Sequence, residues 1–589
     1  MPAPRYPYAS YARLAGPLET AGDRHQVEYV PLGSRRRGRL LAAAAVVLEV
    51  TFLVWLLWPS HYPEDTGDLP YYLSMTMVAS VAIIECLRLL NIATLGLATI
   101  SARDPKPVHP QPGLRIAFVT TLVPGKEPLA MVEQTLRGAK RVRHDGEMDV
   151  WLLDEGNDPG AIALCRELGV RHFSRKGVER WNQPSGTYKA KTKHGNYNSW
   201  LERWGHGYDV MLSVDTDHVP VPEFAERMLG YFRDPDVAFV VGPQVYGNYD
   251  NVITKAAESQ QYLFHSVLQR AANRSGCAMF VGTNNAVRIE ALLQIGGLAD
   301  SITEDAATSL HWHAATNPAT GNPWSSVYTP DVLAVGEGPT SWSDYFNQQY
   351  RWARGTDEVL VRQFARTGKL GWRRRLHYSL LMSYYPSAAI SWTLGALNIS
   401  LYLVTGMGGV KVAAETWFAL YLNAAVLQLG IYFWNRRHNV SPHEQEGSSG
   451  VLGMFISVLT APIYLKALID TLLGKASSFT VTAKGAAASA DGWGTFSLHL
   501  KWTLWFSVTL GAALIAGNAH DTMLVWAVLA LVVSALPILM WRALPDAPQP
   551  EYGNPTHVLD VIELPADAPA VAASPALTST LSTTSEASS

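Results

Sequence analysis

The chain has 589 residues, enough for roughly two to four domains. Charged residues make up only 16% of it, against about 25% in an average soluble protein, and hydrophobic residues make up 48%. The net charge of −3 gives no general basic field, which argues against nucleic acid as a partner. Three scattered cysteines show no pairing pattern, which argues against a disulfide framework and against a cysteine-based zinc site.

An apolar region near the N-terminus predicts two membrane-spanning helices. Residues 40–58 are almost wholly apolar and follow a basic cluster that ends a polar tail, residues 1–39. A basic flank before about 19 apolar residues is typical of a helix that enters the membrane from the cytoplasm. A cleaved signal peptide is the alternative, but the stretch is too long and no cleavage site follows. Residues 71–100 predict a second span, in which Glu85 and Arg88 can pair on one face.

A polar insert, residues 101–376, is long enough for one sizeable α/β core. Strand patterns alternate with helix patterns along it, which predicts a mostly parallel sheet. The predicted strands are residues 114–120, 148–153, 170–173 and 209–214, and the predicted helices are residues 129–139 and 161–168. Such sheets bind ligands at the carboxyl ends of their strands, and two acidic clusters of this chain follow strands in that way.

The acidic clusters favour metal and phosphate chemistry. Asp154 ends one predicted strand, and Asp215 and Asp217 follow another. Paired carboxylates suit Mg²⁺ or Mn²⁺, and those ions suit a diphosphate. Each cluster alone also has a plainer interpretation: an Asp-x-Asp pair can be a solvated turn, Asp154 can cap a helix, and residues 303–305 can simply begin one.

The apolar segments resume after the insert. Further spans are predicted at residues 378–404, 413–434, 498–517 and 522–541. Residues 451–473 are apolar but contain Lys466 and Asp470, so we expect an interfacial helix and six spans, with seven as the alternative. The predicted units are therefore a cytoplasmic tail (1–39), transmembrane helices 1–2 (40–100), the soluble domain (101–376), helices 3–4 (377–434), an interfacial segment (435–497), helices 5–6 (498–543) and a disordered C-terminal tail (544–589).

Six motifs occur in a fixed order. They are Asp154, residues 193–198 (Lys-His-Gly-Asn-Tyr-Asn), 215–218 (Asp-Thr-Asp-His), 302–306 (Ile-Thr-Glu-Asp-Ala), 348–352 (Gln-Gln-Tyr-Arg-Trp) and 479–485 (Phe-Thr-Val-Thr-Ala-Lys-Gly). In type and order they resemble those of processive family-2 glycosyltransferases of the cellulose synthase kind. The resemblance covers roughly residues 105–541 and implies a GT-A-type α/β nucleotide-sugar transferase domain inserted between α-helical transmembrane bundles.

The resemblance also implies roles for individual residues. The nucleotide sugar would be bound by Asp154, Lys193, Asp215, Asp217, Arg351 and Thr120, with Asp215 and Asp217 also holding Mg²⁺ or Mn²⁺. Asp305 would be the catalytic base, and the acceptor would contact Trp352, Glu304 and Gln348. A gating loop would contain Phe479, Val481, Thr482 and Lys484. For Trp352, anchoring at the membrane interface is the alternative.

Three departures from the family pattern leave the sugar and the regulation open. Gln349 stands where the family often has arginine, and hyaluronan synthases are similar to this chain at that position. Val281 stands where the family's Phe-Cys-Gly segment has its thiol. The C-terminal tail is too short and too biased in composition to form the PilZ domain that many bacterial cellulose synthases carry.

The resemblance predicts a multi-pass enzyme of the plasma (inner) membrane with a cytoplasmic catalytic domain. It would transfer a sugar, glucose from UDP-glucose, to the end of a growing β-linked polysaccharide and move the polymer across the membrane. The expected partners are the UDP-sugar, the polysaccharide acceptor, the lipid bilayer and accessory export or polymer-modifying proteins. The alternatives are a hyaluronan- or chitin-like synthase, a non-processive transferase acting on a lipid-linked acceptor, and a transporter with a cytoplasmic binding domain.

Overall fold

The computed structural model describes residues 8–249, 251–444, 448–475, 489–519 and 521–544. The predicted gating-loop residues Phe479, Val481, Thr482 and Lys484 lie outside the described residues, as does all but the first residue of the predicted C-terminal tail.

The N-terminal part contains two long apolar helices. Its elements are α1 (Tyr8–Tyr11), β1 (Tyr29–Pro31), α2 (Arg35–Leu56), α3 (Leu69–Ser101) and β2 (Arg103–Pro105). The predicted pair is present, with Arg88 Nε 2.7 Å from Glu85 Oε2. Glu49 of α2 joins it, since Arg88 Nη2 lies 2.7 Å from Glu49 Oε2. These three charges therefore link α2 to α3 within the apolar region.

The soluble domain alternates strands with helices, as predicted. Its first half comprises β3 (Ile116–Leu122), α4 (Leu129–Lys140), β4 (Met148–Asp154), α5 (Pro159–Leu168), β5 (Arg171–Phe173), α6 (Lys193–Trp204), β6 (Val210–Ser213), β7 (Val219–Pro220) and α7 (Phe224–Leu229). Its second half comprises β8 (Val237–Val241), α8 (Val252–Tyr262), α9 (Gln269–Ala272), β9 (Asn285–Arg288), α10 (Ile289–Gln294), α11 (Glu304–His313), β10 (Ser325–Tyr328), β11 (Ala334–Val335) and α12 (Trp342–Gln363). A π-helical segment, Leu263–Leu268, joins α8 to α9.

Seven strands form one central sheet in the order β10-β8-β9-β6-β3-β4-β5. Four of its pairings are parallel, and the two made by β9 are antiparallel. The prediction of a mostly parallel sheet is therefore confirmed, with β9 as the exception that sequence periodicity did not show. Strands β3, β6 and β8 consist of almost wholly buried residues, because helices cover both faces of the sheet.

The C-terminal part is helical. It contains α13 (Trp372–Met382), α14 (Tyr384–Thr405), α15 (Ala414–Arg436), α16 (Val451–Leu459), α17 (Ala461–Leu472), α18 (Ser497–Ala516) and α19 (Asp521–Ala543). Among the described residues, six helices are long and apolar enough to cross a membrane, namely α2, α3, α14, α15, α18 and α19. The predicted fold class, an α/β domain inserted between such helices, is confirmed.

The predicted single helix over residues 451–473 is in fact two helices. Helices α16 and α17 meet at Thr460 with a bend of 47°. Pro462 lies in the first turn of α17, where a missing N–H and a fixed φ are tolerated. In the middle of one continuous helix the same proline would break the hydrogen-bond pattern, so the two helices are separate.

Both flanks of the undescribed segment 476–488 contact α12 of the soluble domain. Before it, Arg354 Nη2 donates to the carbonyl of Lys475 at 2.6 Å. After it, Asp491 accepts from the backbone N–H groups of Trp342 and Ser343, at 3.0 and 2.8 Å, at the start of α12. The bent pair α16–α17 could still be a seventh span, so the count of six spans with an interfacial helix stays a prediction.

The segment predicted to be an N-terminal tail packs against the soluble domain. Ala12 is buried in the core beneath the sheet, and β1 pairs antiparallel with β2. The Ala15 N–H donates to Asp331 Oδ1 at 2.7 Å. Asp331 also pairs with Arg227, whose Nη2 lies 2.7 Å from Asp331 Oδ2. The polar composition of this segment gave no sign of these contacts, because they join residues that are distant in sequence.

Replacing Asp331 should destabilise the soluble domain. The Asp331→Ala change leaves the buried Arg227 guanidinium without its carboxylate and removes the acceptor of Ala15. Loss of one partner of a buried ion pair typically costs about 3–5 kcal/mol. The control is Asp23→Ala, because Asp23 is fully exposed and lies 4.0 Å from Arg233. Thermal unfolding of the two purified variants in detergent should show a large drop in Tm for Asp331→Ala alone.

Candidate active site

The carboxyl edge of the central sheet gathers the predicted site residues. Strand β3 pairs with both β4 and β6, placing Leu122 opposite Asp154 and Val119 opposite Ser213. Asp154 is the last residue of β4, and Asp215 lies two residues beyond β6. Because these strands are parallel, both carboxylates lie at one edge of the sheet, as the sequence predicted.

Asp154 is fully buried and shapes the loop that follows it. Its Oδ1 accepts from the Gly156 N–H at 2.8 Å, and its Oδ2 lies 3.0 Å from His172 Nε2. Oδ2 also accepts from the N–H of Asp158, the N-cap of α5. Asp154 therefore stabilises the turn after β4, whereas the side chain that caps α5 is that of Asp158. Contact of Asp154 with a nucleoside stays a prediction.

Asp215 and Lys193 form an ion pair at the centre of the site. The Lys193 ammonium donates to Asp215 Oδ1 and, at 2.7 Å, to the carbonyl of Gly282. Burial alone would lower the pKa of Lys193, but the charge of Asp215 outweighs it and raises that pKa above its ordinary value. The residues predicted to meet the diphosphate are thus held together, with the lysine fully charged.

Asp215, Asp217 and His218 offer a ligand set for a divalent cation. One potential ligand atom from each lies within 4.8 Å of the others. His218 Nδ1 is 2.9 Å from Asp217 Oδ1, which orients the imidazole. Two carboxylates with an imidazole suit a borderline-hard ion such as Mn²⁺. These residues therefore fit a metal, and His218 extends the pair of ligands predicted from the sequence.

The Asp-x-Asp loop is held from beneath by Glu127, which the sequence analysis missed. The Thr216 hydroxyl donates to the carbonyl of Thr121 at 2.7 Å and lies 3.1 Å from Glu127 Oε1. Glu127 Oε2 accepts from the Val123 N–H at 2.7 Å. Burial, together with the charges of Asp217 and Asp215, raises the pKa of Glu127 to about 7. The position of Glu127 in the loop after β3 was the only available signal.

Asp305 faces Lys193 across Gly282. A methyl group on Gly282 would lie 3.4 Å from Asp305 Oδ2 and 3.6 Å from Lys193 Nζ. These distances are ordinary contacts, so it is the φ of +75° at Gly282, and not lack of space, that favours glycine there. Burial raises the pKa values of Asp305 and of its neighbour Glu304, as does nearby negative charge. A carboxylate with a raised pKa is a stronger proton acceptor, which suits a general base.

Helix α12 brings Arg351 to the same carboxylates. Burial lowers the pKa of Arg351, whereas the charges of Glu304 and Asp215 oppose that shift, so the guanidinium lies near both. From the same helix, Gln348 Nε2 donates to the Tyr246 hydroxyl at 3.3 Å. Trp352 is half-buried, and its predicted contact with the acceptor stays a prediction.

The departure at Gln349 has a visible local role. Its Oε1 accepts from the Tyr464 hydroxyl at 3.0 Å and lies 3.4 Å from Gln260 Nε2. A neutral side chain thus joins α8 and α17 where the family often has a cation.

Thr120 is fully buried within β3, and its predicted contact with the nucleotide stays a prediction.

Comparison with known proteins agrees with this site. A family profile described as "Glycosyl transferase family group 2" matches residues 210–435. The catalytic chain of a cellulose synthase from Pseudomonas fluorescens, described as UDP-forming, is 28% identical over 268 residues, covering 44% of this chain and 34% of that protein. A cellulose synthase of Dictyostelium discoideum, also described as UDP-forming, is 32% identical over 206 residues, covering 33% of this chain and 18% of that protein. The chain is therefore similar to family-2 glycosyltransferases over residues 210–435 and, over part of its length, to catalytic subunits of cellulose synthases.

The chain spans about a third or less of the length of these curated relatives. Among solved structures, a mannosyltransferase of Pyrobaculum calidifontis, in complex with GDP-mannose and Mn²⁺, aligns with 68% of this chain and 99% of its own at 15% identity and a TM-score of 0.46. A glucosyl-3-phosphoglycerate synthase of Mycobacterium tuberculosis aligns with 42% of this chain and 80% of its own at 14% identity and a TM-score of 0.30.

Replacing Glu127 should weaken metal binding. Glu127→Ala removes the acceptor of the Val123 N–H and the contact with the Thr216 hydroxyl, so the loop that presents Asp215 and Asp217 loses a support. Loss of such an outer partner typically costs about 10- to 100-fold in metal affinity. Calorimetric titration of Mn²⁺ into the purified protein with UDP present measures this. Glu133→Ala, on the outer face of α4, is the control. Equal metal affinity in the two variants would contradict the role of Glu127.

Proposed function

We propose that the protein is a membrane-embedded inverting glycosyltransferase that transfers glucose from UDP-glucose to the end of a growing β-linked polysaccharide. The observation that carries the proposal is the convergence of Asp215, Lys193 and Asp305 around Gly282. In the proposal, the charges of Asp215 and Lys193 would meet the diphosphate, and the half-buried carboxyl group of Asp305 beside them would be the base. The names of the relatives, which are cellulose synthases described as UDP-forming, supply the donor and the product class.

The donor side of the reaction needs positive charge at the leaving group. Asp215, Asp217 and His218 would hold a divalent cation, which supplies charge neutralisation as the nucleoside diphosphate departs. Lys193, already fixed by Asp215 and Gly282, would contribute its ammonium to the phosphates. Arg351 would add a rigid guanidinium fork from α12.

The acceptor side needs a proton acceptor. The acceptor hydroxyl oxygen would attack the anomeric carbon from the face opposite the diphosphate, forming the glycosidic bond as the bond to the phosphate oxygen breaks. Asp305 would take the hydroxyl proton, and the configuration would invert to give a β-linkage. Glu304, Gln348 and Trp352 would contact the acceptor sugar.

The membrane location gives the polymer a route out of the cell. The catalytic domain would face the cytoplasm of the plasma (inner) membrane, because the basic residues at the start of α2 mark the cytoplasmic side. The six apolar helices would surround the emerging chain, and export or polymer-modifying proteins would receive it.

The proposal is tested with purified protein in lipid nanodiscs and a panel of nucleotide sugars. We expect UDP release and polymer formation from UDP-glucose, in the presence of Mn²⁺ or Mg²⁺ and abolished by a chelator. Preference for UDP-N-acetylglucosamine or UDP-glucuronate would instead indicate a chitin- or hyaluronan-like synthase. Single transfer to a lipid-linked acceptor would indicate a non-processive enzyme, and no UDP release from any donor would overturn the assignment.

Replacing the proposed base should stop the chemistry but not donor binding. Asp305→Asn keeps the shape of the side chain and removes its basicity, so turnover should fall about 10²- to 10⁴-fold. UDP affinity, measured by calorimetry, should stay near that of the parent protein. Glu290→Gln, at the exposed start of α10, serves as the control. Near-normal turnover of Asp305→Asn would exclude Asp305 as the base.

The segment after α17 should lie on the cytoplasmic side. A single cysteine at Ala490, in a chain lacking Cys86, Cys165 and Cys277, reports its position, since Ala490 is exposed beside the Asp491 contact with α12. An impermeant maleimide should label it in inverted membrane vesicles and not in intact cells. Labelling in intact cells would place the segment outside and require a seventh crossing.

A further inference from the structure

Helix α12 carries two buried charged residues, Arg354 and Asp357, just after the motif residues Arg351 and Trp352. Arg354 is 2% exposed and Asp357 is 1% exposed. Three residues apart on a helix, they lie on neighbouring positions of one face. Neither belongs to the motifs that the resemblance assigned to the reaction.

These two opposite charges do not satisfy each other. Among the described residues, no ion pair within 4.0 Å joins them, and neither oxygen of Asp357 has a hydrogen-bond partner. Arg354 Nη2 donates to the Lys475 carbonyl at 2.6 Å, but its Nε and Nη1 are also without partners there. Buried charges are costly unless they are paired, so two unpaired opposite charges this close point to something that bridges them.

The pair lies next to the proposed catalytic base. Gly355, between the two charges, packs against Thr303: a methyl group on Gly355 would lie 2.2 Å from Thr303 Cγ2. The Thr303 hydroxyl is buried and has no hydrogen-bond partner among the described residues. Thr303 is the N-cap residue of α11, which begins with Glu304 and Asp305. A third unsatisfied polar group therefore faces this region from the helix that carries the base.

The start of α14 borders the same region. Tyr385 lies within electrostatic range of both Asp357 and Asp305. It also packs against Tyr464 of α17, with ring centroids 5.1 Å apart. The two charges thus lie where the soluble domain meets the apolar helices.

We propose that Arg354, Asp357 and Thr303 form a binding subsite for a hydroxyl-bearing sugar unit of the acceptor, beside Asp305. A sugar hydroxyl donates to a carboxylate and accepts from a guanidinium at the same time, so a single hydroxyl satisfies both charges. A carbohydrate offers several such groups on one rigid ring. The identity of the ligand as an acceptor sugar rests on the proposed function.

The test is oligosaccharide binding to the full chain in nanodiscs without nucleotide, measured by calorimetry with cellopentaose and chitopentaose. We expect Asp357→Leu and Asp357→Asn to weaken binding of the better probe by roughly 10- to 100-fold, the loss typical of a hydrogen bond to a charged group. Glu358→Gln is the matched control, because Glu358 pairs with Arg362 on the same helix and should bind as the parent does.

Thermal unfolding separates binding from stability. Asp357→Leu removes an unpaired buried charge, so its Tm should equal or exceed that of the parent. If Asp357→Leu does not fold, the oligosaccharide affinity of Asp357→Asn decides the test. Equal affinity in the parent and the Asp357 variants would overturn the subsite and leave bound water as the bridge. Absence of binding to either probe would also overturn it. UDP release by the parent protein, measured separately, reports on the proposed function alone.

Discussion

The close packing of α12 against the start of α11 is the constraint on which the site depends. Gly355 has no side chain, so Thr303 can approach the backbone of α12 directly. That approach brings Arg351 close to Glu304. In the proposed mechanism, it also brings the acceptor-binding residues next to the residues that bind the nucleotide sugar. Any side chain at residue 355 would separate the two helices and with them the carboxylates and the guanidinium.

The same helix connects the soluble domain to the apolar helices. The Tyr350 hydroxyl donates to Asp470 Oδ2 at 2.8 Å, and Lys466 Nζ lies 4.1 Å from the centre of the Tyr350 ring. Asp491 caps the N-terminus of α12, where its negative charge is favourable. Helix α12 is therefore held at its start and along its length by the segments that flank residues 476–488. Movement of those segments would be transmitted to Arg351 and Trp352.

The charge balance of the site favours a cation. Asp215, Asp217, Glu304 and Asp305 bring four carboxyl groups together, against the positive charges of Lys193 and Arg351. The raised pKa values of the two acidic residues on α11 reflect this excess as well as burial. A divalent ion would offset the excess on the donor side and leave Asp305 to accept a proton on the other.

Local patterns in the sequence were sufficient for the apolar helices, the alternation of strands with helices, the Glu85–Arg88 pair and the acidic residues at strand ends. Each of these depends on periodicity or composition within about 20 residues. Only the tertiary structure showed that the N-terminal segment packs on the soluble domain, that β9 is antiparallel and that α16 and α17 bend at Thr460. It also showed that Glu127 supports the Asp-x-Asp loop and that Arg354 and Asp357 are unpaired. Apart from that bend and the two charges of α12, these features join residues far apart in the chain. Such contacts follow from how the whole chain packs and leave no local pattern.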